Sequence, residues 1–225
     1  MSPAPISAAP DASAAVSGED RAGEILRVAV DVFGEAGYAG ARIDEVAQRV
    51  GIRRPSVLYH FPDKPSLYAA ALGDVVRDIV DRVVATESLP GDRLEAVADA
   101  WVDFVIARPN AARLLLRQMI DANPSAVRST EPAVRDLLRS LQAAIDDHAA
   151  QEGRKTLDAT EFALILSSTS LVWAASRSAV EGALGLDTLS PAAIQRHRRT
   201  LHALTRQLLA ATADAADPAP KAGRR

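Results

Sequence analysis

The sequence predicts an all-α protein made of a small N-terminal part and a larger C-terminal one, and three observations carry that expectation. Apolar residues recur at the spacing of one helical face along most of the chain, with no strand-like alternation of any length. Near the N-terminus, two short helical segments meet at a glycine and are preceded by a longer one. Further on, start signals repeat: Asp92-Arg-Leu-Glu95, Asp158-Ala-Thr-Glu161 and Ser190-Pro191 each set a capping residue ahead of an apolar run.

The elements follow in order. Ile25, Val28, Ala29, Val32, Phe33 and Ala36 define one buried face of a first helix that stops at Gly37. Ile43, Val46, Ala47 and Val50 repeat the pattern in a shorter helix ended by Gly51. Pro55 suits the first turn of a third helix, from about Arg54 to Phe61, because its missing N–H would be unpaired there anyway; Val57 and Phe61 face inward. Asp63 caps a longer helix from about Lys64 to Thr86. The larger part continues with helices from Asp92 to about Arg108, Asn110 to about Asp121, Pro132 to Gln151, Asp158 to about Gly182, and Pro191 onward. The resulting division is a disordered tail over 1–18, a helix-turn-helix domain over 19–66, a larger helical domain over 67–212, and a second disordered tail over 213–225.

At 225 residues and 48% hydrophobic composition the chain can bury a full core. It contains no cysteine, so a disulfide framework and a thiolate metal site are both excluded, and its four scattered histidines suggest no metal. No cofactor is expected. The first 18 residues lack a basic region and a long apolar run, and the apolar stretch from Phe162 to Val180 is broken by Arg177 and by the hydroxyl run Ser167 to Ser170, so neither a secretory signal nor a membrane span is read and a cytoplasmic location is expected.

Charge is unevenly placed. The whole chain carries −3, but Arg42 to Lys64 holds five bases and three acids, which is +2 and leaves −5 for the rest. Within that window lies Gly51-Ile-Arg-Arg-Pro-Ser-Val-Leu-Tyr-His-Phe61, where two arginines stand at the start of a helix whose amides already favour anions. Five of nine aromatics (Phe33, Tyr38, Tyr59, Phe61 and Tyr68) fall in the first 68 residues, as a small core requires.

Phe33, Gly37-Tyr38, Ile43, Val46-Ala47, Gly51-Ile52, Val57, Tyr59-His60-Phe61, Lys64 and Leu67 together resemble the DNA-binding domain of TetR-family transcriptional regulators, over roughly residues 20 to 68. The resemblance implies that the third helix enters the major groove of a double-stranded operator, with Arg53, Arg54, Pro55, Ser56, Leu58 and Tyr59 towards DNA and with His60 and Lys64 on phosphates. Arginine donates bidentately to guanine, Pro55 or Leu58 can pack on a thymine methyl, and lysine neutralises phosphate without reading bases. For His60 a core role stays open, and Arg42 and Arg49 can instead pair with Asp44 and Glu45. Ala41, followed by Arg42, stands where many members of the family have a threonine that caps the second helix, and Leu58 stands where many have tyrosine.

In the larger part, Trp101, Phe104, Met119, Phe162 and Trp173 are candidates for an apolar effector pocket and Arg117 for a polar contact, each set against an ordinary core or surface role. The last two long helices, with Ala163, Leu166, Ser170 and Ala174 and later Leu201, Leu204 and Leu208, are expected to form a two-fold dimer interface. No G-x-S-x-G, P-loop or H-E-x-x-H spacing is present, so enzymatic chemistry is not expected. The expected function is a ligand-responsive regulator, read as a repressor released by a small molecule. The alternative is a regulator without such a ligand, controlled by a protein partner or by abundance, which a sealed helical core would favour.

Overall fold

A computed structural model describes residues 13–121, 123–152 and 156–211, all of them helical or connecting. Among the described residues the helices are α1 (Ser13–Gly40), α2 (Ile43–Val50), α3 (Arg54–His60), α4 (Lys64–Ala85), α5 (Arg93–Ala107), α6 (Pro109–Asp121), α7 (Pro124–Glu152), α8 (Ala159–Ala175), α9 (Arg177–Leu184) and α10 (Pro191–Ala211), with a 3₁₀ turn at Thr86–Ser88. The expected C-terminal tail lies outside the described residues.

The N-terminal boundaries match the sequence reading because the punctuating residues act as expected. Gly37 takes φ 71°, a conformation L side chains avoid, and kinks α1 before its last turn. Gly51, at φ 78°, closes α2 in the left-handed form, and the Ile52 N–H reaches back to the Ala47 carbonyl at 2.9 Å. Asp63 caps α4 by accepting from the Ser66 amide at 2.7 Å. Asp92 caps α5 and Asp158 caps α8 by the same chemistry.

Three boundaries differ. α1 begins at Ser13, inside the stretch read as a tail; alanine-rich sequence has high helix propensity and can extend a helix already anchored further on. α7 begins at Pro124 and carries Pro132 in its interior. Asn123 supplies the start, its side-chain oxygen accepting from the Ala126 amide at 3.3 Å, and the Ser129 and Thr130 hydroxyls bond to the Ala126 carbonyl in the turn before the proline. The helix read from Asp158 to Gly182 divides at Ser176, whose hydroxyl turns back to the Trp173 carbonyl at 3.1 Å, so that α8 ends and α9 sets off separately.

One apolar core joins the two parts. Phe33, Val46 and Val57 continue through Leu67 and Leu72 on α4 to Phe104, Leu114, Phe162 and Leu171. Phe33, Tyr38 and Tyr68 form an aromatic trio, with Tyr68 edge-on to Phe33 at 4.9 Å and to Tyr38 at 5.0 Å, that fixes α1 to the start of α4. At the α5–α6 corner, Arg108 donates to Asp74 at 3.1 Å and to Asp78 at 2.9 Å, tying that corner to α4. Burial pushes the Asp78 carboxyl up, but hydrogen bonds from Arg108 and Arg82 outweigh it and hold it below the usual carboxylate range.

Candidate nucleic-acid interface

α3 is only seven residues long, so its orientation is set by what it buries. Val57 is fully buried, at 0% exposure, and seats the helix against α2 in the common core, with Phe61 packed on the same core. The opposite side is left to solvent: Arg53, Arg54, Pro55 and Ser56 are exposed, Leu58 is half-buried and Tyr59 is 86% exposed. A tyrosine so exposed gains little from folding, and its ring is available to lie along a groove wall or a sugar.

The basic side chains have different tethers. Arg54 lies 3.8 Å from Asp44, and Arg42 lies 4.0 Å from the same carboxylate, so both arginines share one acid of α2 and neither is held tightly. Arg42 is the N-cap of α2 but makes no side-chain cap bond, and Ala41 beside it is buried. Thus the first amides of α2 are not capped by a side chain. His60 is half-buried between the rings of Tyr59 and Phe61. Lys64 is half-buried, with Nζ donating to the Ala39 carbonyl at 3.2 Å and lying 4.9 Å from the centre of the Tyr38 ring, which places its ammonium at the α1–α4 junction.

Arg49 makes the Glu45 pair that its spacing allowed and adds a link to Glu35 that spacing did not assign. It donates to Glu35 at 2.7 Å and to Glu45 through the same nitrogen, joining α2 to α1. The Arg49 hydrogen bond is the main reason the Glu35 carboxyl is held below its usual range. Asn110 of α6 adds its amide to Asp31 at 3.0 Å and to Glu35 at 3.3 Å, so the brace extends into the larger part.

Of the six effector-pocket candidates, the structure brings two together. Trp101 of α5 and Met119 of α6 line an apolar cavity of about 280 Å³ walled by α4, α5, α6, α7 and α8, with Val76, Ile79, Leu115, Leu137 and Leu171 among its lining residues. Phe104 lies fully buried behind Trp101, its ring stacked at 5.5 Å. Phe162 is core, and Trp173 lies elsewhere, stacked on His197 at 4.2 Å between α8 and α10. Arg117 is far from this role: it donates to the Glu35 carbonyl at 3.4 Å and lies over Gly37, at the kink of α1. The signal for this split was present in α6, where Leu115 and Met119 fall on one face while Asn110, Arg113 and Arg117 fall on the other.

The residues read as a dimer face are also placed differently. Leu166, Ser170 and Ala174 are buried within the protomer, Ala163 lines the cavity and Leu201 is core. α8 is apolar on nearly every side, so its inward stripe satisfied the pattern while Val172 remains exposed on the other side and Leu164, also exposed, lines the cavity.

A short helix-turn-helix with an exposed basic and aromatic reading face, carried on a larger helical body with its own cavity, defines a helix-turn-helix regulatory protein. Residues 25–71 match the tetR family of bacterial regulatory proteins. The chain is 30% identical over 143 residues to the HTH-type transcriptional activator FasR of Mycolicibacterium smegmatis, a match that covers 59% of this chain and 65% of that protein. Over 144 residues it is 28% identical to the regulator RutR of Escherichia coli, covering 61% of this chain and 62% of that one, so the match spans less than two thirds of either relative. A TetR-family regulator of Streptomyces coelicolor has the same fold, with a TM-score of 0.58 and 26% identity over 87% of this chain and 82% of that one. A regulator of Saccharomonospora viridis solved with choline aligns at a TM-score of 0.64 and 20% identity, over 84% and 96%. The helix-turn-helix part thus matches the tetR family of bacterial regulatory proteins, and the relatives matched over more of the chain are transcriptional regulators.

Proposed function

We propose that this protein is a sequence-specific DNA-binding transcriptional regulator that binds a palindromic operator as a dimer and is released by a small molecule. The observation that carries the reading is the outward face of α3: Arg53, Arg54, Pro55, Ser56 and Tyr59 are all exposed while Val57 anchors the helix. Arg54 is the base reader and Arg53 its neighbour on the groove edge, with Leu58 and Pro55 for apolar contact. Arg42, His60 and Lys64 flank them as phosphate contacts. Selection of bound sequences from a random DNA pool tests this; a palindrome with G-containing half-sites is expected, and recovery of unselected sequence would refute it.

Dimerisation through α8 and α10 is part of the proposal. Val172 gives α8 an exposed apolar position that lines no cavity, and a single seven-residue reading helix makes too few base contacts to specify a site alone. Two copies related by a two-fold axis double those contacts.

The cavity favours control by a small molecule over the alternative of a regulator without one, for which a sealed core was the expected sign. α6 gives the route. Leu115 and Met119 touch the cavity while Asn110 and Arg117 hold α1, and Gln118 accepts from the Tyr68 hydroxyl of α4 at 2.9 Å. A ligand that shifts α6 therefore shifts the reading heads, and it acts only through its preference for the spacing that DNA does not accept. Repression is the simplest sign, since a dimer seated on an operator blocks access without any further contact surface; FasR, by its name, is an activator. Choline was found with the Saccharomonospora viridis protein, whose likeness at 20% identity carries the fold and not the ligand.

A further inference from the structure

The reading helix is joined to the larger part by a thin path. α2 packs on α1 and α3, whereas it is α1 that packs extensively on α4 and α6. A tilt of α3 relative to the larger part is therefore resisted where α2 meets α1. One carboxylate reaches both sides of that joint. Glu35, two residues before the Gly37 kink of α1, accepts from Arg49 of α2 through both oxygens, at 3.2 Å and 2.7 Å, and from the side-chain amide of Asn110 of α6 at 3.3 Å. Its partners are tied in turn: Arg49 also donates to Glu45 at 2.6 Å, and the Asn110 amide to Asp31 at 3.0 Å. Exposed ion pairs add little to folding stability, and the Arg49 and Glu35 side chains are 38% and 41% exposed. A two-point arginine–carboxylate pair set in a network nevertheless fixes an orientation. Its effect is on direction more than on stability.

We propose that Glu35 is a positioning residue for DNA reading: by joining Arg49 of α2 to Asn110 of α6 it fixes the tilt of the helix-turn-helix on the larger part, and so the separation of the two reading helices in a dimer. This rests on the reading of α3 as the DNA-reading helix of a dimer, but the tilt itself is measurable without DNA. Half-sites one turn apart lie about 34–36 Å from centre to centre, and one inserted base pair moves a half-site by about 3.4 Å and turns it by about a tenth of a turn. A rigid joint cannot follow that change, and a loose one can. Loss of the brace should therefore lower affinity for the best half-site spacing and largely spare the others. A residue that only stabilised the fold would lower affinity at every spacing alike.

The chain has no cysteine, so two can be introduced for spin labels at exposed positions, Gln48→Cys on α2 and Ala143→Cys on α7. Labelled chain is diluted into unlabelled chain so that only distances within one protomer are read. The parent should give one narrow distance distribution, and Glu35→Ala and Arg49→Met should each broaden it. The two substitutions together should broaden it no further than either alone, because both cut one link. Asn110→Ala, which cuts the α6 arm, should act in the same direction, whereas Glu45→Gln leaves the Glu35 link and should match the parent. Mobility shifts then use the palindrome selected from random DNA, with its centre lengthened or shortened by one and two base pairs. Glu35→Ala and Arg49→Met should lose about three- to tenfold on the best spacing and at most about twofold on the others. If Glu35→Ala fails to fold, Glu35→Gln, which keeps one acceptor for Arg49 and removes the charge, gives the same test with a smaller effect. Distances as narrow in both variants as in the parent, or equal losses at every spacing, would overturn the proposal. A selection that yields no palindrome would instead refute DNA reading by a dimer, and the label distances would still decide whether Glu35 sets the tilt.

Discussion

The Asn110 carbonyl oxygen lies 2.3 Å from the point a Cβ would occupy on Gly34. α1 and α6 therefore approach backbone to backbone, where no flexible side chain can give way. Gly34→Ala should force the helices apart and destabilise the protein by about 1–3 kcal/mol, the usual cost of overpacking, despite alanine's better helix propensity. Gly73, inside α4, is the control: nothing lies within 4 Å of its added Cβ, so Gly73→Ala should stabilise by about 0.5–1 kcal/mol. Urea titrations of the two variants should move in opposite directions; a shift of the same sign in both would mean that the Gly34 contact yields freely.

Arg54 and Lys64 are expected to fail differently when removed. Arg54→Ala should lose about 1–3 kcal/mol per half-site on the selected operator and relax base preference there. Lys64→Ala should weaken every sequence alike and reduce the salt slope by about one per half-site. Because Asp44 lies within 4.0 Å of both Arg42 and Arg54, Asp44→Asn should tighten binding to any DNA by freeing two cations. Mobility-shift titrations on operator and random duplexes over a salt series separate the three effects. Equal losses of Arg54→Ala on both duplexes would remove its base-reading role.

The helix-turn-helix was legible because each of its boundaries is set by one residue acting locally: Gly37, Gly51, Pro55 and Asp63 need no tertiary partner to do what they do. Beyond α4 the same reasoning lost resolution. Ser176 splits a helix through a hydroxyl bond that competes with the helical pattern, and Pro132 is accommodated where a proline usually marks a start. Trp101 and Met119 reached the cavity while Phe104 and Phe162 did not, since all four satisfy the same apolar periodicity and only packing decides which face is left unfilled. That Leu166, Ser170 and Ala174 turn into the protomer has the same origin, because a helix apolar on all sides gives periodicity nothing to choose between.

Val172 gives a direct test of the outer face of α8. It is exposed and lines no cavity, so Val172→Glu should leave the protomer fold intact while placing two like charges near a two-fold axis. Sedimentation should then shift from dimer to monomer at micromolar concentration, with operator affinity falling alongside. A dimer unchanged by Val172→Glu would move the interface away from this face.

His197 predicts how stability follows pH. Burial lowers its pKa below the usual 6.5, and the ring is stacked on Trp173 with Nε2 3.1 Å from the Ser170 hydroxyl, so the folded state holds a neutral imidazole. The unfolded chain takes up a proton at about pH 6.5 that the folded chain refuses until lower pH. Between those two values the unfolded state binds more protons, and stability rises with pH there. The contribution is therefore complete above about pH 6.5 and is lost as pH falls towards the folded pKa, with a slope of at most about 1.4 kcal/mol per pH unit. Urea titrations from pH 7.5 down to pH 5.5 should show this loss in the parent protein. In His197→Gln, which keeps an amide within reach of Ser170 but cannot titrate, the slope should flatten by that amount. An identical slope in both proteins would place the pH dependence on other groups and mean that His197 is protonated as readily in the folded chain as in the unfolded one.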